Sequence, residues 1–249
     1  MCALYAVCMP GRPTRPQRDL TDYLRPSVAV DVAVLTVPRP GTIDASLQPH
    51  VLLIRRDTGF EHGEWSLPGT FVHAGETLAE AVQRCLREKA GMRGILPRQL
   101  HVFDKPDRDD RGWVLSVGHL VVIPHDAVAL DPERARLLRI VDGRVDPPGR
   151  RRSLPFDHDQ IVEFAMENLQ SRYERAPDPD RLLKWPVTLR DLRLVHEAVL
   201  GRPLQKDTFR RIMLGQLRPT GRLAEGTRGK PAELFDVVDV KRRGSSAER

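Results

Sequence analysis

The sequence predicts an α+β chain of two units, and three observations carry that reading. Near-continuous β-branched and apolar runs fall in the first half, the longest at 28–37 (Val-Ala-Val-Asp-Val-Ala-Val-Leu-Thr-Val). A segment at 78–90 instead repeats apolar residues at helical spacing, with Leu78, Ala81, Val82, Cys85 and Leu86 on one side. The block 184–243 holds 14 Lys plus Arg against 7 Asp plus Glu and alternates helical, turn and strand signals.

At 249 residues the chain exceeds one minimal domain, and 40% hydrophobic with 30% charged residues is enough to bury a core, which excludes global disorder. The formal net charge of +6 sits almost wholly in the C-terminal block, whose local charge is +7. An anionic partner is therefore expected there. Cys2, Cys8 and Cys85 lack paired spacing and histidine companions, which points to a reducing compartment and to no structural metal. The apolar start stops at Pro10-Gly11, too short for a signal peptide, and no run approaches membrane-spanning length. A cytoplasmic protein without a membrane partner is expected.

Taken in order, residues 1–26 form a Pro- and Arg-rich arm. The unit at 27–152 opens with the strand at 28–37, followed by a second strand at 51–54 and a short extended piece at 65–72 broken by Pro68-Gly69. The helix at 78–90 stops at Gly91. Strands at 100–103 and 113–123 flank the polar loop 104–112, and 142–152 reads as an irregular crossing. A linking helix over 157–175, with Ile161, Phe164, Ala165, Asn168 and Leu169 in phase, and a break at Ala176-Pro-Asp-Pro-Asp180 make 153–183 the junction. The last unit is 184–243.

The segment 69–92 resembles the Nudix box of pyrophosphohydrolases, G-x5-E-x7-R-E-U-x-E-E-x-G-U, where U is bulky aliphatic. Glu76, Arg84, Leu86, Glu88, Gly91 and Met92 match in register, whereas Thr70, Cys85 and Lys89 replace the first Gly and two glutamates. Residues at i, i+3 and i+4 share a helical face, so carboxylates at 85, 88 and 89 would converge to hold Mg²⁺ against a diphosphate. Only Glu88 remains. Cys85 is a soft ligand ill-suited to Mg²⁺, and Lys89 puts an ammonium where the metal would sit. Efficient hydrolysis is not expected, so no catalytic residue, metal site or required cofactor is assigned. Glu76 and Arg84 are expected to pair and tie the loop to the helix.

A ligand pocket can outlive the chemistry. Arg55, Arg56, Trp65, Phe71, Arg108 and Arg111, with the surviving Glu88, supply the guanidinium forks and flat faces that a diphosphate and a purine favour. They resemble the site of the ADP-ribose-handling branch of Nudix proteins.

In the basic block, Thr188 precedes a helix at 189–200 that Gly201-Arg-Pro203 ends. A second helix at 205–214 buries Leu204, Phe209, Ile212 and Met213 and carries Lys206, Thr208, Arg210 and Arg211 on its other face. That is the order of a helix-turn-helix. Two strands around a Gly-rich loop follow as a wing, with Arg228 and Lys230 at its tip. His196 reads as a core residue.

The combination of eroded box, Leu154-Pro-Phe-Asp-His158 before the linking helix, and Thr-Leu-Arg-Asp-Leu with Phe-Arg-Arg beyond resembles the NrtR family, Nudix-related transcriptional regulators of NAD metabolism, over about 28–238. The resemblance implies a Nudix-type α/β/α sandwich followed by a winged helix-turn-helix. It also implies a homodimer on a palindromic double-stranded DNA operator, repressing NAD synthesis or salvage genes and released by ADP-ribose or a related nucleotide. Two rivals remain open: an active pyrophosphohydrolase on ADP-ribose-like substrates that recruits metal through Asp107, Asp109 or Asp110, and a protein whose C-terminus docks RNA or another protein.

Overall fold

The structure is a computed structural model and describes residues 19–40, 47–57, 61–127, 130–148, 152–225 and 231–238. The expected arm at 1–26 therefore falls mostly outside the described residues, as do Arg228, Lys230, Cys2 and Cys8. Residues Leu20–Asp22 form a single 3-10 turn ahead of the first strand.

A mixed sheet organises the first unit. Its strands are β1 (Ser27–Thr36), β2 (His50–Arg55), β3 (Trp65–Ser66), β4 (Gly69–Phe71), β5 (Arg98–Phe103), β6 (Val114–Val122), β7 (Ala135–Val141) and β8 (Arg144–Val145). The order is β5-β6-β1-β2-β7-β8, with β3 paired to β2 and β4 to β1. β1 runs parallel to β6 and antiparallel to β2 and β4. Sequence reading missed β7 and treated β8 as irregular crossing, because Ala-Arg-Leu-Leu-Arg-Ile-Val does not alternate strictly and β8 is only two residues long.

Both faces of β1 are covered, which explains its unbroken apolar run. Val30, Val32 and Val34 pack with Ala81, Val82 and Leu86 of α1 (Leu78–Ala90). Ala33 and Leu35 face the other way, toward Ile161, Ala165 and Leu169 of α2 (His158–Tyr173). The result is a helix–sheet–helix sandwich. α1 begins with a capping box, in which Thr77 Oγ1 accepts from the Glu80 amide at 3.3 Å and Glu80 Oε2 accepts from the Thr77 amide at 2.8 Å. It ends at Gly91, whose φ of +66° suits a left-handed cap.

The second unit contains β9 (Val187–Thr188), α3 (Leu189–Leu200), α4 (Lys206–Leu214), β10 (Leu217–Leu223) and β11 (Glu233–Val237), with a three-stranded sheet in the order β10-β11-β9. Two helices followed by a two-stranded wing, tied back by β9, form a winged helix-turn-helix. One hydrophobic cluster runs from Ala33 and Leu53 in the sheet, through α2, to Leu192, Phe209, Met213 and Phe235 in this unit.

The expected linker at 176–180 is a packed turn around one carboxylate. Asp178 is 1% exposed. Its Oδ1 accepts from Tyr173 Oη and the Leu182 amide, both at 2.8 Å, and its Oδ2 from the Leu183 amide and Trp185 Nε1, both at 2.9 Å. The Asp178 amide donates to His196 Nε2 at 3.4 Å, and the His196 ring lies between Tyr173 and Phe209. His196 is thus the core residue expected from sequence.

Burial pulls the His196 imidazole down from 6.5 to about 4, against the opposing pull of Asp178 and the Tyr173 backbone. The unfolded chain takes up that proton below about pH 6.5 while the folded chain declines it until about pH 4. Stability therefore falls as pH drops through that window, by about 3 kcal/mol in all for this one group. Urea denaturation at a series of pH values should show a shallower acid slope for His196→Gln than for the unaltered chain. Equal slopes would show that another group drives the acid sensitivity.

Candidate functional site

A cleft of about 250 Å³ opens where β1, β4, the loop 104–113 and the entrance to α2 meet. Its floor is a buried set of charges. Asp31 interrupts the apolar β1, and its Oδ2 accepts from Ser116 Oγ at 2.6 Å and Arg108 Nη2 at 3.2 Å. Arg108 also grips Asp157 with both arms, Nε to Oδ2 at 2.8 Å and Nη2 to Oδ1 at 2.6 Å. The neighbouring His158 accepts from the Leu67 amide at Nδ1 (3.1 Å), leaving Nε2 to face Asp31 Oδ1 at 3.4 Å. Burial alone would push the Asp31 carboxyl up. His158, Ser116 and Arg108 outweigh that and hold it well below the ordinary carboxylate range.

The walls carry cations and aromatic rings. Arg111 lies over Phe71 (5.3 Å) and Phe156 (5.8 Å), and Arg56 lies over the same Phe156 ring at 5.4 Å. Asp109 Oδ1 and Oδ2 accept from Arg111 Nε and Nη2 at 2.8 and 2.6 Å. The Arg56 guanidinium is held below its usual range, first by burial and then by the charge of Arg111. Two guanidiniums thus flank one aromatic ring in the wall. Phe156 adopts φ +59°, a conformation rare for a bulky residue, and the turn into α2 keeps it there. A second depression of about 530 Å³ adjoins, sharing Arg108 and Phe156.

Of the residues singled out in the sequence for a ligand, Arg56, Phe71, Arg108 and Arg111 line the cleft. Arg108 does so as an anchor, its Nε and Nη2 already committed to carboxylates. Three others lie elsewhere. Arg55 is exposed, with its Nε directed at the Gly63 carbonyl. Trp65 belongs to the core beneath Arg136, because its two-residue strand is clamped against β2. Glu88 points outward to Arg87 at 3.4 Å and Arg84 at 4.0 Å. Sequence reasoning missed Asp31, Phe156 and His158 as cleft groups and Asp157 as the partner that holds Arg108. A lone carboxylate within a β-branched run was the available signal for Asp31.

The box helix forms as expected, and of positions 85, 88 and 89 only Glu88 carries a carboxylate. Arg84 Nε and Nη2 donate to Glu76 at 2.8 and 2.9 Å, and Nη2 also donates to the Phe71 carbonyl at 2.8 Å, fixing the loop to α1. Cys85 is fully buried, and burial pushes its thiol up to about 12. Lys89 Nζ donates to the Gly69 carbonyl on the cleft wall. Among the described residues no three His, Cys, Asp or Glu side chains gather as a metal site.

On the second unit, Gln205 Oε1 caps α4 by accepting from the Thr208 amide at 2.6 Å. Phe209 and Met213 turn inward, while Lys206, Thr208, Arg210 and Arg211 are exposed. Arg211 lies about 200° round the helix from Phe209 and crowns its outward side. Lys206 and Arg210 share one flank, and Thr208 lies on the other beside Ile212. On β10, Arg218 and Arg222 add exposed cations that the sequence reading did not single out.

The NUDIX domain model matches residues 30–185, and the model of the NrtR DNA-binding winged helix domain matches 181–237. The chain is 28% identical over 200 residues to the ADPR responsive transcriptional repressor NtrR of Acinetobacter baylyi, covering 80% of this chain and 76% of the relative. It is 35% identical over 154 residues to an ADP-ribose pyrophosphatase of Methanocaldococcus jannaschii, covering 60% of this chain and 80% of that protein. Its structure resembles Shewanella oneidensis NrtR with a TM-score of 0.66 and 29% identity, over 85% of this chain and 94% of that one. The same protein complexed with a 27mer DNA gives 0.66 and 29%, over 85% and 93%.

Two outcomes test this geometry. Arg108→Met leaves Asp31 and Asp157 buried without their cation and should lower stability by about 3–5 kcal/mol in urea denaturation; Arg111→Ala, which strands the single buried carboxylate of Asp109 and removes a half-exposed guanidinium, should cost less than Arg108→Met. In a Cys2→Ser/Cys8→Ser chain, Cys85 should resist a thiol reagent at pH about 8 until the protein is unfolded; rapid labelling of the native protein would contradict its burial.

Proposed function

The chain belongs to the NUDIX family and carries an NrtR-type winged helix, and from that premise we infer a homodimeric transcriptional repressor whose hold on duplex DNA is relieved by ADP-ribose or a related nucleotide. Two relatives support the nucleotide: one is by name ADPR responsive, the other an ADP-ribose pyrophosphatase. The resemblance to regulators of NAD metabolism points to genes of NAD synthesis or salvage as targets.

One observation carries the reading. The cleft that would hold the nucleotide is built partly from the first turn of the helix whose far end is buried in the winged helix. Asp157 and His158 tie the start of α2 to Arg108 and Asp31. About 18 to 22 Å further on, at 1.5 Å per residue, Gln170 Nε2 donates to the Val199 carbonyl and Tyr173 Oη to Asp178. Gln216 Nε2, just beyond α4, donates to the Arg175 carbonyl.

The diphosphate would lie against Arg56 and Arg111, and the adenine against the faces of Phe71 and Phe156. A ligand that alters the Arg108–Asp157 grip then biases the position of α2, and with it the spacing of two recognition helices in a dimer. Lys206, Thr208, Arg210 and Arg211 would read the major groove, with Arg228 and Lys230 on the backbone. Arg55, Trp65 and Glu88 take no direct part in this reading. With Cys85 and Lys89 in the box, the protein senses the nucleotide without hydrolysing it efficiently.

Gel-shift titrations on operator DNA should show ADP-ribose weakening binding by about 5- to 150-fold, the range of typical coupling free energies. Arg210→Ala/Arg211→Ala should bind DNA more weakly with a shallower salt dependence. Binding indifferent to ADP-ribose would remove that effector. Brisk release of AMP from ADP-ribose with Mg²⁺ would favour the hydrolase, and unchanged nucleic-acid affinity of the double variant would move the interface elsewhere.

A further inference from the structure

The Nudix box offers a divalent ion to a diphosphate through carboxylates on one helical face. In this chain that face is rebuilt. Cys85 is sealed in the core, Glu88 turns outward to Arg84 and Arg87, and Lys89 reaches into the cleft. These donors do not fit Mg²⁺, a hard cation that needs several oxygens. They do fit a fixed ammonium. Lys89 Nζ donates to the Gly69 carbonyl, and Gly69 passes so close to the floor that a Cβ there would stand 2.0 Å from Asp31 Oδ1, so only glycine fits at this point of the wall. The ammonium therefore shares a wall with Phe71 in the cleft that Arg56 and Arg111 also line.

We propose that Lys89 is the built-in counter-ion of this cleft: its ammonium takes the place of a divalent cation against the ligand's diphosphate, so nucleotide binding needs no Mg²⁺. The inference rests on the cleft being a nucleotide site. It accounts for one charge reversal doing two jobs. A monovalent ammonium pairs with a phosphate oxygen as a point charge, yet it does not acidify a bound water as a coordinated metal does. The ligand is held and left intact. A sensor built this way reports nucleotide concentration independently of the level of free divalent metal.

Isothermal titration of the full chain with ADP-ribose, in excess EDTA and in excess Mg²⁺, tests this directly. The expected result is the same affinity in both buffers within about twofold, and a loss of about 10- to 100-fold on Lys89→Gln in either buffer, the range for a charge-assisted hydrogen bond. Affinity that appears only with Mg²⁺ would overturn the inference while leaving the nucleotide reading intact. So would full affinity in a Lys89→Gln protein whose thermal melt shows it folded. No heat of binding in either buffer would overturn the nucleotide reading itself, and this inference with it. The EDTA comparison uses the unaltered chain, so it decides the matter even if the variant fails to fold.

Discussion

Asp31, Arg108, Asp157 and His158 form a buried charge cluster on which the rest of the first unit depends. Asp31 comes from the middle of the sheet, Arg108 from a loop, and Asp157 with His158 from the entrance to α2. Placing a carboxylate in the centre of a strand covered on both faces costs several kcal/mol unless it is paired and hydrogen-bonded. Ser116, Arg108 and His158 supply that pairing, and Arg108 uses its remaining reach on Asp157. One charge in a strand thus determines where a loop folds back and where a helix begins. The cleft is the space left above this cluster, and its walls inherit their positions from it.

At the opposite end of α2 the same device is used again. Asp178 gathers a tyrosine hydroxyl, two amides and an indole, and orders a turn that sequence composition marks as a break. The helix is therefore held by charge at both ends, with apolar contacts between them. A rigid element fixed at two polar termini moves as a unit, which suits the transmission of a small change at one end to the other. The two ends differ in what they face: a cationic cleft at the first, the packed base of the DNA-binding helices at the second.

Much of this architecture was legible because it is local. The limits of α1 follow from its apolar stripe and Gly91, and α3 and α4 from the same kind of signal around Gly201 and Gly215. The Glu76–Arg84 tie could be read from register within one motif. What escaped is non-local. Nothing near Phe156 in the chain announces that it will meet Arg56 and Arg111. Trp65 has the chemistry of a purine-stacking residue, yet the pairing of its short strand with β2 turns it into the core. Arg55 and Arg56 look equivalent in sequence, but only Arg56 borders the cleft. The strand β7 was lost for another reason, since period-two reading fails where arginines interrupt the alternation.

The apolar cluster that runs unbroken from Ala33 to Phe235 bears on how such a protein can change over time. Many regulators behave as cassettes, in which a sensing module is grafted onto whichever DNA-reading module is at hand. Here α2 lends side chains to both, so no cut through the junction leaves two finished surfaces. The inner faces of sandwich and winged helix can then drift only in concert, whatever changes on the outer surface of either.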